Sequence, residues 1–188
     1  MLNAGRSLFA KSGYEQTSTA AIARESGSSE SQLIRYFGGK AGLLEAIFNE
    51  SWTALNQLVE ERLTTAKHGR EAILNLLLTM MQAFGRDHDI AFLFLFEGRR
   101  IRGHNPEVLL SKGFMKFMGV IEAQIRRGQE DGSFRTDLHP TVLCSAMLGA
   151  AEGMVRDRVL SDRNRVEHPF ADDEMVRTFA AMVNGLAP

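Results

Sequence analysis

The chain has 188 residues, 44% of them apolar and 24% charged, the balance of a soluble globular protein with a core of its own and length for one large domain or two small ones. A net charge of −1 advertises no nucleic-acid partner, and Cys144 as sole cysteine excludes an intrachain disulfide framework and a cysteine-based zinc site, which fits a reducing, cytoplasmic setting. No apolar run is long enough to cross a membrane, and the N-terminus has no basic segment leading into an apolar core, so neither a membrane partner nor a signal peptide is expected.

Helical spacing dominates, proline is rare and β-branched alternation is almost absent, which predicts an all-α protein of about nine helices. A first helix is expected from about Met1 to Lys11, stopped by Gly13. Thr17 or Ser18 can cap a second that ends near Ser26-Gly27, and Ser29 can cap a third that ends at Gly38-Gly39. A fourth runs from about Lys40 to Lys67, with Leu44, Ile47, Phe48, Trp52, Leu55 and Val59 at the three-four spacing of one face. Arg70 to Arg86 forms a fifth. Asp87-His88-Asp89 caps a short Phe-rich helix, and Asn105-Pro106 signals another start. The next helix carries Phe114, Met118, Ile121 and Ile125 and ends at Asp131-Gly132. Asp137 and Pro140 open a helix to about Leu160, and the last runs from Glu174 to Leu186. Short helices crowd the first fifty residues and long ones follow. This predicts a small N-terminal domain, 1–46, continuous through the fourth helix with a larger bundle, 47–188.

Ala23, Gly27 and Leu33 have the spacing of a helix-turn-helix. A small residue lets two helices cross, a glycine makes the turn, and an apolar anchor faces back from the second helix. Ile22 and Leu33 can seal the pair against Leu8 and Phe9 of the first helix. The wider context, LFAKSGYEQTSTAAIARESGSSESQLIRYFGGKAGLLEAI, resembles the N-terminal domain of the TetR family of bacterial transcriptional regulators. Leu8-Phe9, Gly13-Tyr14, Thr17-Ser18, Ile22-Ala23, Gly27, Ser29, Leu33, Tyr36-Phe37, Lys40 and Leu43-Leu44 carry that resemblance. It implies a recognition helix over Ser29 to Phe37 whose first turn enters the DNA major groove.

On that basis Ser28, Ser29, Glu30, Ser31 and Gln32 are candidates for base contact. Gln32 suits adenine, Glu30 suits cytosine or a capping role, and Arg35 suits guanine or phosphate. Thr17, Ser18, Tyr36 and Lys40 resemble the family's phosphate-contacting positions, where hydroxyls and an ammonium meet phosphate oxygens. Two departures stand out. Ile34 occupies a place where the family commonly has an aromatic residue; it can touch a thymine methyl but cannot bond a phosphate. The chain also opens inside the first helix, without the short basic extension usual in the family.

Competing motifs fail. Gly38-Gly39-Lys40 lacks the earlier glycine of a phosphate loop, where Ile34 stands, and the following Ser or Thr, where Ala41 stands. The five histidines are scattered with no pair at helical spacing, so no metal and no cofactor are expected, and no catalytic signature argues for an enzyme. Met80, Phe84, Phe92, Phe96, Phe117 and Met118 are core material that can also line an adaptable apolar effector pocket, with Arg100 as a polar anchor. Small residues Ala146, Gly149 and Gly153 on the eighth helix, with Met175, Phe179 and Met182 on the last, form stripes suited to pairing with a second copy. The combined expectation is a homodimeric regulator, a repressor released from a palindromic double-stranded DNA operator by a small, largely hydrophobic effector. The alternative is a helical protein–protein interaction module without operator binding.

Overall fold

The computed structural model describes residues 1–98 and 111–188. These form nine α-helices and one π-helical turn, with no strand among the described residues: α1 (Leu2–Ser12), α2 (Thr19–Glu25), α3 (Glu30–Phe37), α4 (Lys40–Leu63), α5 (Gly69–Arg86), α6 (His88–Phe92), the π turn (Leu93–Glu97), α7 (Lys112–Glu130), α8 (Pro140–Asn164) and α9 (Asp172–Asn184). The start signal at Asn105-Pro106 lies outside the described residues.

The local signals explain most boundaries. Ser18 caps α2 by accepting from the Ala21 N–H at 3.1 Å. Ser29 and Gln32 form a reciprocal capping box at the start of α3. Asp87 caps α6 by accepting from the Ile90 N–H at 3.1 Å. α4 ends four residues before Lys67. The hydroxyls of Thr64 and Thr65 bond the carbonyls of Glu61 and Arg62 at 2.6 and 3.0 Å, competing for acceptors at the helix end. α8 instead runs four residues beyond Leu160 and stops where Arg165 turns left-handed, at φ 55°.

Residues divide into two compact units. The first comprises Met1–Ala54 and Asp87–Phe114, the second Leu55–Arg86 and Met115–Pro188. In the first, α1 packs on α2, α2 on α3, and α1 also on α6. Its core is Phe9, Ile22, Leu33, Leu43, Ile47 and Leu93. Trp52 stacks on Phe94 with ring centroids 4.3 Å apart, and Phe114 meets the same indole edge-on at 5.4 Å. In the second, α5 packs on α8 and α9, and α8 on α9, around Val59, Ile73, Phe117, Ile121, Ile125, Phe134 and Val183.

Candidate nucleic-acid interface

Three apolar anchors fix the crossing of α2 and α3. Ile22 and Leu33 are fully buried with Phe9, and Ala23 lies beside them with almost no exposure. Gly27 makes the turn at φ 63°, a left-handed conformation that disfavours any side chain. The Ser28 N–H closes the turn onto the Ala23 carbonyl at 2.9 Å. With Leu33 held inward, a rotation of 100° per residue puts Ser31 and Arg35 in the middle of the outward face of α3. Ile34 lies on one flank and Tyr36 on the other. Ile34 is 58% and Tyr36 66% exposed, and the Arg35 guanidinium lies 6.0 Å from the Tyr36 ring centre.

The expected DNA-contacting residues divide by what already holds them. Ser31, Arg35 and Tyr36 are exposed on α3. Ser18 is exposed too, and capping engages only its oxygen lone pair, so its O–H remains able to donate. Ser29 and Gln32 are exposed but bonded to each other: the Gln32 Oε1 accepts from the Ser29 N–H at 3.0 Å and from its hydroxyl at 3.3 Å, while the Gln32 N–H donates back to Ser29 Oγ at 3.2 Å. Glu30 accepts a hydrogen bond from the Thr19 hydroxyl, and Ser28 pairs with Ser26, Oγ to Oγ, at 2.6 Å.

Two of the residues expected at phosphates already bond within the domain. Thr17 is only 3% exposed, and its hydroxyl donates within the domain, to the carbonyls of Gly13 at 2.8 Å and Leu8 at 3.2 Å. Those carbonyls sit where α1 ends, and a buried acceptor needs a partner. Lys40 donates from Nζ to the carbonyls of Tyr14 at 2.9 Å and Glu15 at 3.4 Å, with the ammonium 4.3 Å from the Tyr14 ring centre. As the first residue of α4 its charge faces the positive end of the helix dipole, and the carbonyls and ring face supply the compensating negative partners.

Arg6 is likewise held, through a 2.8 Å ion pair to Asp87 within the same unit. Of the five cations in residues 1–40, Lys11, Arg24 and Arg35 are exposed, matched in number by exposed Glu15, Glu25 and Glu30. Sequence reasoning missed Thr19 and Asp87 as partners of this surface. Both depend on contacts across a crossing, which spacing along one helix does not show.

The description of bacterial regulatory proteins of the tetR family matches residues 1–47. Over nearly the whole chain the sequence is 26% identical, across 191 residues, to the HTH-type transcriptional regulator UidR of Escherichia coli K12, covering 99% of this chain and 90% of that protein. It is 20% identical to the fatty acid metabolism regulator protein of Bacillus subtilis, covering 87% of this chain and 84% of that one. Among solved structures, the B. subtilis regulator FadR in complex with stearoyl-CoA matches with a TM-score of 0.86 at 16% identity, over 100% of this chain and 97% of that one. FadR from Bacillus halodurans matches with a TM-score of 0.84 at 19% identity, over 98% and 96%. Residues 1–47 are a TetR-family N-terminal domain. The protein is a DNA-binding transcriptional regulator.

The expected pocket residues fall in both units. Phe92 and Phe96 belong to the first, half-buried and stacked with centroids 4.9 Å apart. Met80, Phe84 and Phe117 are buried in the second, where Met118 is half-buried. Arg100 lies outside the described residues.

The expected pairing residues also separate. On α8, Ala146 and Gly149 are exposed in line with Val142, itself 66% exposed, and Gly153 is half-buried. On α9, Met182 is 47% exposed, but Met175 and Phe179 are buried within the chain. These two, with Val183, make the inward stripe of α9 that packs in the second unit, so they belong to its own core and not to an outer face. Cys144 is buried on α8, and burial, helped by the nearby Glu122 charge, pushes its thiol up to about 11.

Proposed function

We propose that the protein is a homodimeric repressor that holds a palindromic operator and releases it when a small, largely apolar effector binds. Residues 1–46 serve as the DNA reader and 47–188 as the effector-binding and pairing portion. The protein acts in the cytoplasm, without cofactor and without enzymatic turnover. The observation that carries this reading is α3 itself: a capped helix anchored by buried Leu33, with Ser31, Ile34, Arg35 and Tyr36 turned outward. The exposed Val142, Ala146 and Gly149 on α8 and Met182 on α9 support pairing of two copies. A two-fold dimer fits a palindrome when its recognition helices lie about 34–36 Å apart or a multiple of that.

Support for an apolar effector is the stacked Phe92–Phe96 pair and the likeness to a regulator solved with stearoyl-CoA. The proposed switch is geometric. α4 contributes Lys40–Ala54 to one unit and Leu55–Leu63 to the other, so an effector that favours one position of α4 changes the separation of the readers. Coupling follows from its differential affinity for the two states.

The test is selection of bound duplexes from a random pool, followed by titration at two salt concentrations. An enriched palindrome, bound about tenfold more weakly by Arg35→Ala, supports the reading. Because exposed cations and anions balance on the reader, a shallow salt dependence is expected. Failure to enrich any sequence would overturn it. Spin labels at Tyr36 of both copies test the switch; an effector that lowers affinity without changing their separation sinks the geometric mechanism.

A further inference from the structure

We propose that Ile34 is a specificity-determining residue that recognises the C5 methyl group of a thymine in the major groove. The proposal rests on the operator-binding reading above and assigns it one base contact. The polar side chains of the first turn of α3 are the obvious readers, yet the structure commits most of them. A bidentate contact to adenine needs both Oε1 and Nε2 of Gln32. Its Oε1 already accepts two bonds from Ser29, so the contact would dismantle the box that starts the helix. Glu30 is bonded across the crossing to Thr19. Ser28 is bonded to Ser26.

Ile34 needs no such release. It is 58% exposed on the flank of a helix whose inward side is locked by Leu33 at zero exposure. One turn earlier stands exposed Ser31, and exposed Arg35 follows it. A β-branched side chain loses little rotamer freedom on contact. Of the four base edges in the major groove, only thymine presents a methyl group. An isoleucine therefore discriminates by apolar contact while its neighbours supply hydrogen bonds and charge. The same position cannot contribute a phosphate bond, so its effect is on sequence preference rather than general affinity.

The probe is the duplex enriched by the wild-type chain, remade with each thymidine replaced in turn by deoxyuridine, which removes only the C5 methyl. One position per half-site should then bind the wild type about fourfold more weakly, the worth of one buried methyl-sized group. Ile34→Ala should bind the thymine duplex as weakly as the wild type binds the uracil one and should not distinguish the two. Ile34→Val should keep most of the discrimination. The uracil arm uses the wild-type chain, so it stands whether or not a variant folds. Indifference of the wild type to uracil at every position overturns the proposal, as does a uracil effect undiminished in Ile34→Ala. If the wild type enriches no sequence, operator binding itself fails and the proposal falls with it; enrichment with indifference to uracil removes only the role of Ile34.

Discussion

Gly5 and Gly69 stand at helix contacts in different compact units, and what faces each one differs. A Cβ added at Gly5 on α1 would meet the tips of side chains, Leu43 Cδ2 at 2.8 Å and Ile47 Cδ1 at 3.3 Å. A Cβ added at Gly69, the first residue of α5, would meet backbone: the nitrogen and Cα of Gly128 on α7 at 2.2 and 2.4 Å and the Gln124 carbonyl at 2.5 Å. A side-chain tip can rotate away, whereas a helix backbone moves only as a body. The first contact is therefore a packing preference, the second a geometric requirement.

Gly69→Ala should give the largest effect. The added methyl forces the start of α5 off α7, and overpacking against backbone costs about 3 kcal/mol. The Gly69 N–H also donates to Asp131 Oδ2 at 2.7 Å, and the Arg70 N–H to Ser133 Oγ at 3.2 Å. Moving the helix weakens both bonds. Urea unfolding should show the midpoint falling well below the wild-type value. A variant as stable as wild type would mean that the approach is not a requirement.

The contrast between these glycines was invisible in the sequence. Local features were legible. Ser18, Ser29 and Asp87 each precede an apolar-periodic run and each caps the helix expected of it. Leu33 is the buried anchor that helix-turn-helix spacing requires. What spacing could not show were long-range partners. Lys40 resembles a phosphate contact in sequence, and nothing there shows that its ammonium also bonds the Tyr14 carbonyl, 26 residues away. Thr17 looks available until α1 ends beside its hydroxyl. On α9, Met175, Phe179 and Met182 share a stripe in sequence, but packing in the second unit centres the inward face on Met175, Phe179 and Val183 and leaves Met182 at its edge.

A middle-sized effect belongs to the same junction as Gly69. Asp131 caps α5 from a distant loop and also accepts from the Ser133 N–H at 3.0 Å. Burial works against its ionisation, but the bonds from Ser133 and Gly69 outweigh that and hold its carboxyl below the usual value of 3.8. Asp131→Asn should cost about 1 kcal/mol near neutral pH, as lost caps do, toward the lower end because the group is exposed to solvent screening. A carboxyl whose pKa is lowered by folding stabilises the fold above its unfolded pKa and loses that stabilisation as pH falls through the folded one. The stability gap between wild type and variant should thus hold constant down to about pH 5 and close below about pH 4. A gap that persisted at pH 2 would mean that shape, not charge, is what Asp131 supplies.

Gly5→Ala should give the smallest effect, and its near-neutrality sharpens the contrast most. Alanine is favoured over glycine in a helix interior by about 1 kcal/mol. Against that gain stands the shift of Leu43, which is fully buried and must leave its present rotamer to clear 2.8 Å. An off-rotamer side chain costs about 0.5–1.5 kcal/mol, so the two terms nearly cancel and the net change should lie within about 0.5 kcal/mol. Trp52, the only tryptophan, lies in the same unit as Gly5, stacked on Phe94, and its fluorescence gives the unfolding signal for this variant directly. A loss as large as that of Gly69→Ala would show that Leu43 is as immobile as a backbone, and the distinction between the two glycine contacts would dissolve.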